Sequence, residues 1–330
     1  MEMNQENGHF KVSVVVPVFN EEGNIETLTD KLTGVLGKYT DYEVVYVDDG
    51  SKDQTLEIIK RIHEQNPRVH YMSLSRNFGH QNALKAGLDH ASGDCVITMD
   101  GDLQHPPELI PDMIEKWIEG YDVVYTVRHD DPDLSFFKRK TSALFYKLMH
   151  FLSDYPIPKG AADFRLLDAS VVEVMKDMKE YYLFLRGITA WVGFKQYALE
   201  YIPHSRFKGE TKYSFKRMMG FAADGITSFS LKPLRLSIII GTLLAFFAFG
   251  YGLYAIGMKL FSNHTIQGWA SVLVSVLFIG GIQLVALGII GEYIGKLFME
   301  MKQRPRYIIK ENSKRRKKRE SADYTDSHGL

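Results

Sequence analysis

The chain has 330 residues, 40 basic and 40 acidic side chains and no net formal charge, so overall charge points to no nucleic-acid or other polyanionic partner. Its single cysteine, Cys95, excludes an intrachain disulfide framework and, lying in an apolar run, reads as a small packed hydrophobe. The length allows one large catalytic domain or two smaller ones. Met1 to His9 is polar and the next apolar run, Val12 to Phe19, is short, so no secretory signal is expected.

In chain order, Lys11 to Val18 is rich in β-branched residues and predicts a strand. Ile25, Leu28, Leu32 and Leu36 recur at helical spacing, predicting a helix from Glu22 to about Leu36. The alternation continues through a strand at Tyr42 to Val47, a helix at Thr55 to Gln65, a strand at Val69 to Leu74, a helix at Gln81 to His90 and a strand at Cys95 to Met99. Pro106-Pro107 opens a further helix to about Glu119, proline being tolerated in a first turn. Val123 to Val127 is a fifth strand, and Ser135 to Ile202 mixes helix and short strands. This alternation predicts an α/β domain whose parallel sheet is covered on both faces, with ligands bound beyond the carboxyl ends of the strands.

Two later segments, Leu236 to Ile256 and Ala270 to Ile290, carry no charge and no polar side. Each has the roughly 20 apolar residues needed to cross a bilayer; the alternative is a helical hairpin buried in a soluble core. Before them, Phe215, Met218, Met219, Ala222, Ile226 and Phe229 form an apolar stripe, with Lys208, Lys212, Lys216 and Arg217 near its start. That pattern predicts a helix lying in the membrane interface, or an ordinary amphipathic helix packed on the domain. Lys232 and Arg235 precede the first span and Lys296, Lys302, Arg304 and Arg306 follow the second, while the turn holds only Lys259 and His264. The positive-inside rule then puts both termini in the cytoplasm of a plasma-membrane protein. The run Lys314 to Arg319 reads as a basic tail that touches anionic lipid or is simply solvated. The organisation expected is a catalytic domain at 1–204, juxtamembrane helices at 205–232, two spans at 233–298 and a basic tail at 299–330.

Chemistry concentrates at the predicted strand ends. Asp100-Gly101-Asp102-Leu103-Gln104 places two carboxylates one residue apart after an apolar strand, where they can face one magnesium ion whose other ligands are substrate phosphates. Asp48-Asp49-Gly50-Ser51 offers carboxylates to a base ring or a ribose, and Ser75-Arg76-Asn77-Phe78-Gly79-His80 ends the third strand. Each acidic segment, taken alone, also fits a plain Asp-Gly turn. His80, His105 and His129 lack metal-ligand spacing and read as polar loop residues.

Taken together, Pro17-Val18-Phe19-Asn20-Glu21-Glu22, Asp48-Asp49-Gly50-Ser51, Ser75 to Gly79 and Asp100-Gly101-Asp102 resemble the family 2 glycosyltransferases of GT-A fold. Ala162-Asp163-Phe164-Arg165-Leu166-Leu167, Arg206 with Gly209 to Tyr213, and Gly291 to Lys296 are similar to the polyprenyl-phosphate branch. That branch includes dolichol-phosphate mannose synthases and bacterial undecaprenyl-phosphate sugar transferases. The resemblance implies that Pro17, Asn20 and Glu22 line the nucleotide, that Asp48 meets the base, and that Asp100, Asp102 and Gln104 hold Mg2+ or Mn2+ with the diphosphate. It implies a catalytic role for Asp102 and for Asp163, an acidic position near the acceptor, and makes Arg128, Arg139, Arg206 and Lys212 candidates for the phosphates. The expected reaction is inverting transfer of glucose or N-acetylglucosamine from a UDP-sugar to undecaprenyl phosphate, with GDP-mannose the alternative donor. The expected partners are membrane lipid, further copies of the chain in a homo-oligomer, a downstream flippase and an external glycosyltransferase.

A phosphate monoester is mostly dianionic at neutral pH, with a second pKa near ~6, so the acceptor needs little help from a base. Asp163 is then expected to orient the sugar or to stabilise positive charge at its anomeric carbon. A dinucleotide-dependent dehydrogenase is disfavoured because Asn20-Glu21-Glu22-Gly23 brings two acids where a glycine-rich phosphate turn is needed. A processive polysaccharide synthase would carry a Gln-x-x-Arg-Trp motif and more spans. A membrane scaffold has no use for the acidic set Asp100, Asp102 and Asp163.

Overall fold

The computed structural model describes residues 9–128, 161–178, 180, 185–201, 230–261 and 268–314. They divide into two compact units, one built on a sheet and one holding two long helices.

The first unit alternates as the sequence predicts. In order it runs β1 (Lys11–Val18), α1 (Ile25–Leu36), β2 (Asp41–Asp48), α2 (Thr55–Gln65), β3 (Val69–Leu74), α3 (His80–His90), β4 (Cys95–Thr98), a short 3-10 turn (Pro107–Leu109), α4 (Ile110–Ile118) and β5 (Val123–Arg128). β6 (Ala161–Asp168), α5 (Ala169–Asp177), α6 (Leu185–Trp191) and β7 (Gln196–Tyr201) complete it, together with β8 (Ile309–Asn312) from beyond the long helices. The eight strands lie in the order β7-β5-β6-β4-β1-β2-β3-β8. Val12 to Val18 are all buried, on both faces of the sheet, as a strand covered by helices on each side requires. Ile25, Leu28, Leu32 and Leu36 of α1 pack into that core. Cys95 is buried there too, and burial pushes its thiol far above its ordinary pKa.

β1 pairs in parallel with β2 on one side and β4 on the other. The chain therefore reverses its winding direction beside β1, and in sheets of this kind ligands bind there, beyond the carboxyl strand ends. The five strands predicted from the alternation all run parallel, and two strands beyond them, β6 and β8, run antiparallel. β6 runs antiparallel between β4 and β5. The direction of β6 follows from its long-range pairing with β4 and β5, which the local alternation of strand and helix does not specify. Its register pairs Cys95 with Asp168 and Thr98 with Arg165. The start of β6 thereby meets the carboxyl end of β4, which sets Asp163 alongside Asp100.

The other antiparallel strand, β8, comes from residues that the sequence assigned to the basic tail. From Pro305 onward the chain belongs to the sheet unit, and β8 pairs antiparallel with the edge of β3. Tyr71 N donates to Ser313 Oγ at 3.0 Å, and Tyr307 Oη donates to Asp89 at 2.8 Å. Lys314 Nζ lies 2.8 Å from Oε2 of buried Glu43. Burial alone would raise the Glu43 pKa, but Lys314, Ser13 and Lys11 overcome it and hold the carboxyl at about 2. A buried charge needs such partners, which is why a lysine at the head of a basic run folds back instead of trailing into solvent. Residues 315–330 lie outside the described part.

In the second unit, α7 (Lys232–Phe261) and α8 (Trp269–Met301) each contain a stretch long and apolar enough to span a membrane, Lys232–Met258 and Val274–Met301. Phe246, Phe247 and Leu284 are about 70% exposed, whereas a hairpin buried in a soluble core would hide such side chains. Tyr293 Oη donates to Ser230 O at 2.6 Å. The predicted interface helix between Phe207 and Ser230 falls, apart from Ser230, outside the described residues.

Candidate active site

The loops after β1, β2 and β3 are stitched into one rim. Asn20 adopts a left-handed backbone, φ 55°. Its N–H donates to Ser51 Oγ at 3.0 Å and its side-chain oxygen accepts from Lys52 N at 2.8 Å. Glu22 is exposed and accepts from Gln54 N, before the first turn of α2, at 3.0 Å. Pro17 is buried in β1 opposite Val47. Asp48, expected on the base, is only 1% exposed. Its oxygens accept from Ser51 N at 3.1 Å and Ser73 Oγ at 3.0 Å, so it holds the rim from behind. Its neighbour Asp49 accepts from Phe78 N at 2.7 Å and Gly79 N at 2.9 Å; burial pushes its carboxyl above the ordinary range despite those bonds. Gly50 joins the two loops. Its φ is +72° and an added Cβ would lie 2.6 Å from the backbone of Arg76, so only glycine fits.

Asp100 and Asp102 follow β4. Asp100 N donates to His105 Nδ1 at 3.1 Å. That bond leaves the ring proton of a neutral His105 on Nε2, 3.8 Å from Asp100 Oδ2. His105 is buried and stacks on Phe164 of β6, centroids 5.2 Å apart. Gln104 N donates to Asp102 Oδ1 at 3.1 Å across a left-handed Leu103. Asp100 Oδ1 is buried without a hydrogen-bond partner, an arrangement that is costly unless a cation completes it. Among the described residues, no group of three or more His, Cys, Asp or Glu side chains converges as a metal cage. The orphaned Asp100 Oδ1, with the Asp102 carboxylate two residues on, is oxygen chemistry that fits a divalent cation.

Asp163 is the electrostatic centre of the site. It is 5% exposed and receives a two-pronged bond from Arg186 of α6, Nε to Oδ1 and Nη2 to Oδ2, both at 2.8 Å. Arg165 Nη2 lies 3.6 Å from Oδ1. Burial pushes the Asp163 pKa upward, but Arg186, His80 and Arg165 outweigh it and hold the group well below the carboxylate range. Burial lowers Arg165 to about 10. Gln81 clips the pieces together: its carbonyl accepts from Leu185 N at 3.1 Å and its amide approaches Asp163 Oδ2 at 3.5 Å.

His80, read from the sequence as a polar loop residue, is part of the site. Its Nε2 lies 3.3 Å from Asp100 Oδ1 and 3.6 Å from Asp163 Oδ2. Desolvation alone would lower its pKa, but the two carboxylates raise it to about 9. Its position after β3, beside the other rim loops, was the sequence signal; Arg186 offered none. Arg128 ends β5 opposite Tyr201. Tyr201 is pushed up to about 12, chiefly by burial, with the charges of Arg128, Asp100, Asp102 and Arg186 all within reach of it. Arg128 therefore ends β5 beside Tyr201, whose ring packs edge-on against His105. Arg139, Arg206 and Lys212 lie outside the described residues.

Comparison with known proteins agrees with this geometry. The family model described as glycosyl transferase family 2 matches residues 13–175, and that of the GtrB C-terminal hairpin matches residues 232–297. An uncharacterized glycosyltransferase of Bacillus subtilis (strain 168), YkcC, is 47% identical over 92% of this chain and 94% of its own length. A prophage bactoprenol glucosyl transferase homolog of Escherichia coli (strain K12) is 45% identical over 91% and 98%. The bactoprenol glucosyl transferase of Shigella phage SfII is 44% identical over 92% and 98%. With its α/β sheet, its acidic crevice and its paired apolar helices, this chain belongs to the family 2 glycosyltransferases, with a GT-A catalytic domain and a GtrB-type C-terminal hairpin.

Proposed function

We propose that this glycosyltransferase moves glucose from UDP-glucose to the phosphate of a polyprenyl phosphate, undecaprenyl phosphate in a bacterial membrane, with inversion at the anomeric carbon. The observation that carries the proposal is the end-to-end match, hairpin included, with proteins named bactoprenol glucosyl transferases.

The site supports the chemistry. Asp100 and Asp102 would hold Mg2+ or Mn2+, with Gln104 beside the diphosphate. When bound, the ion would neutralise charge building on the leaving diphosphate. The rim built from Asn20, Glu22, Asp48 and Asp49 would receive the nucleoside. The acceptor phosphate arrives as an anion able to attack directly. Asp163, fixed by Arg186 and held ionised, would orient the sugar and stabilise positive charge developing at its anomeric carbon. Arg128, with Arg139, Arg206 and Lys212, would offset the charge of two anionic substrates.

The sheet takes up the chain on both sides of the hairpin, β7 before it and β8 after it. That connectivity supports a catalytic domain and both ends of the hairpin on one face of the membrane, the cytoplasmic face by the distribution of basic residues. Incubation with undecaprenyl phosphate and each of UDP-glucose, UDP-N-acetylglucosamine and GDP-mannose, followed by mass spectrometry of the lipid, tests the proposal. A hexosyl lipid from UDP-glucose supports it. A product from GDP-mannose alone overturns the donor, and no lipid product from any donor overturns the acceptor.

A further inference from the structure

We propose that Tyr307, in the segment that follows the second apolar helix, is a positioning residue for the transfer reaction: through Asp89 and helix α3 it holds Gln81 against Asp163 and the start of α6. The proposal rests on the reading of Asp163 as the acceptor-side carboxylate.

Gln81, Lys85 and Asp89 stand four residues apart and form one polar stripe along α3. At the head of the stripe, Gln81 accepts from Leu185 N at 3.1 Å and turns its amide toward Asp163 Oδ2 at 3.5 Å. Leu185 opens α6, and the next residue, Arg186, makes the two-pronged bond to Asp163. At the foot of the stripe, Tyr307 Oη donates to Asp89 Oδ2 at 2.8 Å. Buried Lys85 pairs with the other oxygen of Asp89 and reaches Lys176 O of α5 at 3.4 Å. The same incoming segment grips both helices: Arg306 Nη2 donates to Met178 O, just past α5, at 2.6 Å, and Lys314 Nζ donates to His90 O at 3.2 Å.

The rest of α3 cannot fix where Gln81 points. Ala83, Leu84, Ala86 and Leu88 are buried, and a Cβ on Gly87 would fall 2.2 Å from Val15 of β1, so the helix lies directly on the sheet. Apolar packing of that kind resists lifting but is non-directional. Asp49 fixes the entry of the chain through Phe78 N and Gly79 N. Rotation of the helix about its axis is left to directional bonds along the polar stripe, and Tyr307 supplies one from outside the helix. A turn of α3 at Asp89 is a turn at Gln81, which would release Leu185 N and shift Arg186 and Asp163.

The test uses full-length protein in detergent, as wild type, Tyr307→Phe, Gln81→Ala and the double variant. Transfer from UDP-glucose to undecaprenyl phosphate gives kcat and KM. Hydrogen exchange read by mass spectrometry follows the Leu185 amide, which at the start of a helix has no partner within it. Tyr307→Phe should lower kcat about ten-fold, within the range for a small misplacement of a reacting group, leave the KM for UDP-glucose within about two-fold, and speed exchange at Leu185. Gln81→Ala should do the same. The double variant should fall no more than about two-fold below Gln81→Ala, because both changes break one connection. Losses that multiply, as at independent sites, overturn the inference, and so does folded Tyr307→Phe with unchanged turnover or unchanged exchange at Leu185. Wild type that labels no lipid from UDP-glucose removes the proposed reaction, and with it this role for Tyr307, whatever the exchange shows.

Discussion

The side chains of Asp100 and Asp163 meet at one imidazole edge, His80 Nε2 standing 3.3 Å from the first and 3.6 Å from the second. The first carboxylate follows β4, a strand parallel to β1. The second opens an antiparallel strand, β6. The antiparallel register of β6 is what brings the two carboxylates to one imidazole.

Asp163→Asn keeps the size of the side chain and removes its charge. Two arginines and an imidazolium would then face a neutral amide. The expected outcome is a kcat lower by about 10²–10³-fold, the scale of losing a preorganised electrostatic contact, with nucleotide affinity nearly unchanged. Arg186→Lys should produce a smaller loss of the same kind, because a lysine cannot make the two-pronged bond. Steady-state kinetics with calorimetric UDP binding separates the two effects.

Arg128 is exposed at the end of β5, across from Tyr201. Arg128→Ala should raise the KM for polyprenyl phosphate about ten-fold, the order expected for a charge-assisted hydrogen bond, and leave the KM for the nucleotide sugar within about two-fold. A change in the donor KM instead would move this residue to the diphosphate.

Glu43 makes a prediction about pH and stability. Its carboxyl titrates near 2 in the folded protein and near 4.5 when unperturbed. The folded value is depressed, so the network with Lys314 and Lys11 stabilises the protein fully above pH 4.5 and loses that contribution as pH falls from there toward 2. The contribution is on the order of 3 kcal/mol. Glu43→Gln should melt at a lower temperature than wild type at pH 7, and the gap should close between pH 5 and pH 2.5. A gap independent of pH would show that the carboxylate charge is not what Lys314 recognises.

Gly50→Ala should damage the rim without touching substrate chemistry. The residue has φ +72°, and a Cβ would press on the Arg76 backbone at 2.6 Å. The expected cost is about 1–3 kcal/mol, the range for forcing a side chain into such a conformation. Weaker nucleotide binding should accompany it, because the loops after β2 and β3 would separate. Thermal melting with and without UDP checks both.

The parts of this architecture legible in the sequence are those written in local pattern. β1 to β5 show as apolar runs, their helices as residues spaced at three and four, and the hairpin as two stretches without charge. The acidic motifs could be placed because each sits where a strand ends. What the sequence concealed is long-range. The direction of β6 depends on pairing with β4, and Asp163 comes to Asp100 only through that direction. β8 reads Ile-Lys-Glu-Asn, with little strand propensity of its own; it is held by the edge of β3 and by the buried Glu43 that Lys314 seeks. His80 was named and set aside because no ligand spacing marked it, and its role arises from two carboxylates distant in sequence. The bonds that Asp48 accepts from Ser51 and Ser73 could not be read from the sequence either, since Ser73 belongs to a different strand.

The most direct measurement is transfer of radiolabelled glucose from UDP-glucose to undecaprenyl phosphate by the purified protein, counted in the organic phase. Wild type with Mg2+ or Mn2+ should give a single labelled lipid. Label should disappear with EDTA and return with added metal, and folded Asp102→Asn should give none. Labelled lipid that persists through EDTA and through Asp102→Asn would contradict a metal-dependent site at Asp100 and Asp102, and folded wild-type protein that labels no lipid would contradict transfer of glucose from UDP-glucose to polyprenyl phosphate.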